Sequence, residues 1–275
     1  MKTNNYALTK LLVTSLLGFV VSCATSPTGR SQFIVFSSEQ MSELGQDSFS
    51  QLKSESNISK SYNYDRYVGC ISSQLLAVID ENPNDWEVVV FIDDSLNAFA
   101  LPGKKIGIHT GMIQFASRDE LAAVIGHEVA HVKARHGAER MSMGLTNQAL
   151  IASSALILED SKYAKHSGIA VAALAVGSQY GILLPYSRTH ELEADAMGLA
   201  FLAQAGFNPD AAISLWKKMQ KNANHTPLAF VSTHPSHTTR IDNLSTQLYS
   251  VGGIYQRNKI NAGVCSKSKY LMSHG

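Results

Sequence analysis

The chain has 275 residues, 45% hydrophobic and 16% charged, with a formal net charge of +1, 19 glycines and 7 prolines. Those proportions exclude a disordered, collagenous or disulfide-dense scaffold and fit one or two globular domains able to bury a core. Lysine and arginine form no dense cluster, so nucleic acid is not an expected partner.

Lys2 and Lys10 flank the start of an apolar run, Leu11 to Val21, interrupted only by Thr14, Ser15 and Gly18. The run is too short to span a bilayer and has the length of a signal-peptide hydrophobic region, so residues 1–22 are expected to be an export signal. Val20-Val21-Ser22-Cys23 resembles a bacterial lipobox, which predicts a membrane anchor through lipidated Cys23. The alternative is a plain signal peptide cut nearby, with Cys23 an ordinary thiol. By the bacterial sorting convention, Ala24 after the cysteine points to the outer membrane, facing the periplasm. Loss of residues 1–22 removes two lysines and leaves a mature charge of −1. Cys70 and Cys265 remain, an even number in an oxidising compartment, and a disulfide between them is expected over two unpaired thiols.

Residues 23–36, with Thr25 to Ser31 reading TSPTGRS, are expected to be a polar tether. Helical spacing follows from Ser37 to about Ser54 and from Tyr64 to Asp80. Trp86 to Ile92 is β-branched and aromatic, and Asn97 to Leu101 and Lys105 to His109 read as two more short strands around Pro102-Gly103. Ser117-Arg118-Asp119-Glu120 has the form of a capping box and opens a helix expected to reach Gly137. Further helices are expected from Ser187 to Gly206, after Asn208-Pro209, and from Ser236 to Ser250. Residues 37–250 then form the domain, and 251–275 a mobile or disulfide-pinned tail. No repeat of a solenoid type is present.

The capped helix contains His127-Glu128-Val129-Ala130-His131. Residues four apart differ by about 40° around a helix, so His127 and His131 can meet one metal ion, while Glu128, about 100° away, is placed to take a proton from water. The apolar neighbours Leu121, Val124, Ile125, Val129 and Val132 argue against a solvated face. A third histidine in the form HExxHxxGxxH is missing, since Ala134 and Gly137 occupy those places; His136, about 140° round from His131 on a continuous helix, is read as a cap. Sixty residues beyond His131, Glu191 and Asp195 share one helical face, so that one carboxylate can bind zinc while the other receives an imidazole N–H. Glu193 belongs to another face.

HEVAH, SRTHELEAD, and Thr233-His234-Pro235-Ser236 with Arg240 together resemble the gluzincin metallopeptidases of the CAAX-prenyl-protease and HtpX type, particularly their soluble periplasmic lipoprotein members. The resemblance covers roughly residues 37–250 and implies an α+β, mostly helical zincin-like domain with a small β-sheet. It implies one Zn2+ held by His127, His131 and Glu191, with Glu128 as general base and Asp195 orienting a ligand. It also puts His234 near the zinc, as an oxyanion donor or a resting-state ligand, with Arg240 holding that loop or the transition state. Asn97 to Gly103 resembles the family's edge strand, on which an extended substrate can add as a further strand; Lys104 replaces a second glycine usual in that turn.

Gly168 to Pro185 is strongly apolar and follows another apolar patch, Ala149 to Leu158. Ser178, Gln179 and Tyr180 break it, so a buried helix or a flap beside the cleft is expected, with a membrane-touching surface as the alternative. The expected function is a zinc metalloendopeptidase acting on misfolded or unassembled envelope polypeptides. The rival is a chaperone or assembly factor for outer-membrane proteins whose zinc is structural; prenyl-protein processing is weakly supported, since fold does not fix substrate.

Overall fold

The computed structural model describes residues 23–159, 167–178, 183–222, Phe230, Ser232, His234, 238–261 and 264–271. The expected signal segment 1–22 and Thr233, Pro235 and Ser236 lie outside them. The elements in chain order are β1 (Cys23–Thr25), β2 (Ser31–Phe33), α1 (Ser38–Glu55), α2 (Tyr62–Ala77), β3 (Glu87–Phe91), β4 (Ala98–Leu101), β5 (Lys105–His109), α3 (Thr110–Phe115) and α4 (Arg118–Lys133). They continue with α5 (His136–Glu159), α6 (Ser167–Ser178), α7 (Leu184–Ala205), α8 (Asp210–Asn222), α9 (Thr238–Asn258) and α10 (Lys267–Leu271). The result is the expected mostly helical α+β fold with a small sheet.

The anticipated capping motif closes as written, and the structure adds a second. Ser117 Oγ accepts from the Glu120 amide while Glu120 accepts from the Ser117 amide, and Ser37 with Gln40 does the same at the start of α1. The three-strand sheet has the order β3-β5-β4, with β3 parallel and β4 antiparallel to β5. β4 is therefore an edge strand. Its turn into β5 carries Gly103 at φ 82° and Lys104 at φ 63°. Lys104 thus takes the left-handed conformation where glycine is usual, a modest local cost.

Helix α4 lies at the centre, packed on α7, on the sheet and on α2 and α8. Leu121 to Ala130 are all buried, so the helix has no solvated face and its polar residues must find partners inside the protein. Residues of α2, β3, β5, α4, α7, α8 and α9 share one apolar core, including Ile71, Ile108, Ile125, Leu202 and Trp216. Cys70 and Cys265 are joined, tying α2 to the segment before α10.

Four expectations change. The helix through the HExxH motif stops at Lys133, because Arg135 turns left-handed at φ 55° and α5 starts afresh at His136. Residues 23–33 are not a loose tether but an antiparallel hairpin, Cys23 opposite Phe33, and Gln32 is buried. The last domain helix runs past Ser250 to Asn258. Of the two forms expected for Gly168 to Pro185, a buried helix or a flap, the described part does not form the buried helix: α6 packs on α5, yet its Ile169 is 74% exposed. Among the described residues, no helix is long and apolar enough to cross a membrane.

Candidate metal centre

Because α4 is enclosed, the side chains of its HExxH segment turn towards α7 and the sheet. His127 Nε2 and His131 Nε2 lie 3.1 Å apart. From α7, Glu191 brings Oε2 to 3.3 Å from His127 Nε2 and Oε1 to 3.5 Å from His131 Nε2. The close approach of the two helices depends on Gly198, where a Cβ would sit 3.1 Å from the His127 amide nitrogen. His234 adds Nδ1 at 3.0 Å from Glu191 Oε2 and 3.3 Å from His127 Nε2. One donor atom from each of His127, His131, Glu191 and His234 lies within 4.8 Å of the others. Imidazole nitrogens with a carboxylate oxygen, buried together, form a donor set that suits zinc.

Glu128 leaves the helix on the side facing β4. Its Oε2 accepts the Ala100 amide of that edge strand at 3.3 Å, and its Oε1 lies 3.2 Å from His234 Nε2. Burial raises the Glu128 carboxyl above its ordinary range, opposed in part by His234 and His127. Burial also resists ionisation of Glu191, yet the three imidazoles hold its carboxyl far below the usual range. An open cleft of about 510 Å³ runs past these groups, walled by Met41, Phe99, Leu101 and Pro102, with Glu128 and His131 at its floor.

The ligand histidines have unlike supports on their far sides. His127 Nδ1 lies 3.0 Å from Asp195 Oδ1, one turn along α7 from Glu191. Arg240 grips both Asp195 oxygens, at 2.7 and 2.6 Å, and stacks over Trp216 at 4.2 Å. Arg240 Nη1 also reaches Glu191 Oε2 at 3.1 Å. His131 Nδ1 instead meets His136 Nδ1 at 2.8 Å, and His136 Nε2 meets Glu193 Oε2 at 3.1 Å. His136 is therefore no helix cap. Its burial, reinforced by nearby His190, pushes its pKa down to about 4 and keeps the ring neutral.

All the residues singled out in the sequence, His127, Glu128, His131, Glu191, Asp195, His234 and Arg240, converge at this centre. Sequence reasoning missed His136, because a helical wheel assumes that the helix continues, whereas the reversal at Arg135 swings His136 back towards His131. Glu193 does face away from Glu191, as expected, but towards Arg30 and His136 rather than solvent. Nothing in the spacing pairs Arg30 with a residue 163 positions later.

A profile described as peptidase family M48 matches residues 63–248. The chain is 35% identical over 204 residues to mitochondrial metalloendopeptidase OMA1 of Schizosaccharomyces pombe, covering 72% of this chain and 58% of that protein. It is 34% identical over 183 residues to the protein of that name from Saccharomyces cerevisiae, covering 63% of this chain and 50% of the relative. It is 33% identical over 180 residues to a putative beta-barrel assembly-enhancing protease of Vibrio cholerae, covering 64% and 37%. The chain thus spans little more than half the length of such relatives, or less. With the profile spanning most of the chain and the paired histidines, distant glutamate and buried Glu128 assembled in one place, the protein belongs to peptidase family M48.

Proposed function

We propose that the protein is a zinc-dependent endopeptidase acting on misfolded or unassembled polypeptides of a bacterial envelope. The observation that carries this reading is the convergence of His127, His131 and Glu191 beside a buried carboxylate, Glu128, that touches the free edge of a β-strand. Zinc bound by those three residues supplies Lewis acidity towards a scissile carbonyl and makes water a nucleophile at neutral pH. An extended substrate adds to β4 by backbone pairing, which selects unfolded over compact chains. The raised Glu128 carboxyl suits a group that takes a proton from the attacking water and returns it to the leaving amine. Asp195 holds His127, and Arg240 holds Asp195 and Glu191 in place.

His234 Nδ1 lies as near Glu191 as the other imidazoles do, which favours a resting-state ligand over a distant oxyanion donor. The same contact supports a second reading, a chaperone whose four-donor zinc site is closed and structural. The envelope assignment draws on the lipobox at Cys23, the Cys70–Cys265 disulfide, which suits an oxidising compartment, and the similarity to the Vibrio cholerae protein. On this reading an acyl chain on Cys23 anchors the protein in the outer membrane, facing the periplasm.

Glu128→Gln is expected to keep zinc content and fold while lowering casein-type proteolysis by about 10²–10⁴-fold. Undiminished cleavage by the metal-loaded variant, free of contaminating protease, would overturn the enzymatic reading. A deletion phenotype fully rescued by Glu128→Gln would favour the chaperone.

A further inference from the structure

We infer that the N-terminal hairpin is a positioning element of the metal centre, acting through Arg30, Glu193 and His136 to fix the His131 imidazole. The inference rests on the zinc reading above and goes beyond it, because the hairpin lies outside the stretch matched by the family.

The protons on these rings can be placed one by one. His131 turns Nε2 towards His127 and Glu191, so a neutral, metal-ligating ring must carry its single proton on Nδ1. Among the described residues that proton has one partner within reach, His136 Nδ1 at 2.8 Å, which must therefore accept. His136 then carries its own proton on Nε2 and donates it to Glu193 Oε2 at 3.1 Å. The same oxygen receives Arg30 Nε at 2.8 Å, and the other Glu193 oxygen accepts the Thr28 hydroxyl. Each hydrogen passed from Arg30 to His131 then has an assigned acceptor. A ligand histidine whose far nitrogen is held this way is fixed in both tautomer and ring orientation.

The hairpin also holds the backbone around the site. Arg30 grips both oxygens of Glu139, at 2.8 and 2.7 Å. Gln32 donates to Glu139 and, at 2.7 Å, to the carbonyl of Ala134, the residue that caps α4 three positions after His131. His190, the neighbour of Glu191, binds Glu139 at 2.9 Å, and its ring stacks on His136 at 4.3 Å. One short hairpin thus bonds to the end of the helix bearing two ligands, reaches the residue beside the third through Glu139, and bonds to the relay behind His131. Arg30 is the cation through which Glu139 and Glu193, both buried, are paired with the hairpin.

The test uses the purified full chain and reads zinc release to a competing chelator, with circular dichroism as the check on folding. Arg30→Ala and His136→Leu should each release zinc about 10–100-fold more readily than the wild type. The double variant should lose no more than the larger single effect, because both act along one series. His136→Asn, whose amide oxygen can stand where Nδ1 stood, should recover part of the loss. If Arg30→Ala does not fold, Thr28→Val, which removes one donor to Glu193, should still speed release, by a few-fold. Wild-type zinc release by His136→Leu and by a folded Arg30→Ala or Thr28→Val variant overturns the role of the hairpin, as does a double variant whose loss is the product of the single losses. A wild-type chain that takes up no zinc overturns the metal reading, and this inference with it.

Discussion

His127 and His131 are chemically identical, one turn apart on the same buried helix, and directed at the same point, yet different parts of the molecule hold them. Behind His127 stand Asp195 and Arg240, contributed by long core helices, with the guanidinium packed on Trp216. Behind His131 stand His136 and Glu193, and the series ends on a hairpin of two three-residue strands. The first support is part of the core and forms when the core forms. The second needs a peripheral segment to dock, so two ligands four residues apart depend on folding events of different cooperativity.

The largest effect that can sharpen this comparison lies away from both supports. The Cys70–Cys265 bridge spans 195 residues, and in the chain-entropy account its reduction lowers the unfolding free energy by about 5 kcal/mol. The denaturant midpoint should fall accordingly, while the folded, reduced protein should keep its zinc affinity. Weakened zinc binding in that state would show that neither support is local. Next in size is Arg240→Ala, which strands Asp195 as a buried charge and should cost about 3–5 kcal/mol in denaturant unfolding. A smaller cost than for an exposed ion pair would contradict the core character of this support.

The smallest effect concerns the far end of α4. Glu81 pairs with Lys133 at 2.9 Å and Lys104 at 3.1 Å. Its partial burial opposes ionisation, but those bonds and the Trp86 indole hold its pKa down at about 2. A carboxyl depressed by folding stabilises the protein above its ordinary value near 4.5 and loses that contribution as the pH falls towards about 2. Glu81→Gln should therefore cost less than about 1 kcal/mol at pH 7, because the lysines are partly solvated. The gap from the wild type should shrink below pH 4.5 and close near pH 2. A gap that widened on acidification would reverse the sign of this argument.

Much of the site was legible before any coordinates. The i, i+4 spacing of His127 and His131, and again of Glu191 and Asp195, places each pair on one helical face whatever surrounds it, and the capping box at Ser117 marks where the first helix begins. His136 was misread for an equally physical reason: Arg135 leaves helical geometry, and a wheel drawn through it projects the next residue to the wrong side. For the apolar stretch around Ile169 composition left a buried helix and a flap both open, because burial depends on what packs against a segment and not on its own side chains.

Local sequence, then, determined the helices around the metal centre, the three strands of the main sheet, the metal-ligand spacing and the likeness to a zinc peptidase family, because these depend on periodicity and on donors a few residues apart. Only the tertiary structure decided that His136 and Glu193 stand behind His131, and that residues 23–33 are docked rather than loose. The docking of the hairpin joins residues separated by more than a hundred positions, as Arg30 is from Glu139 and Glu193. Such pairings follow from how the buried charges of a packed interior find partners, and no local pattern encodes them.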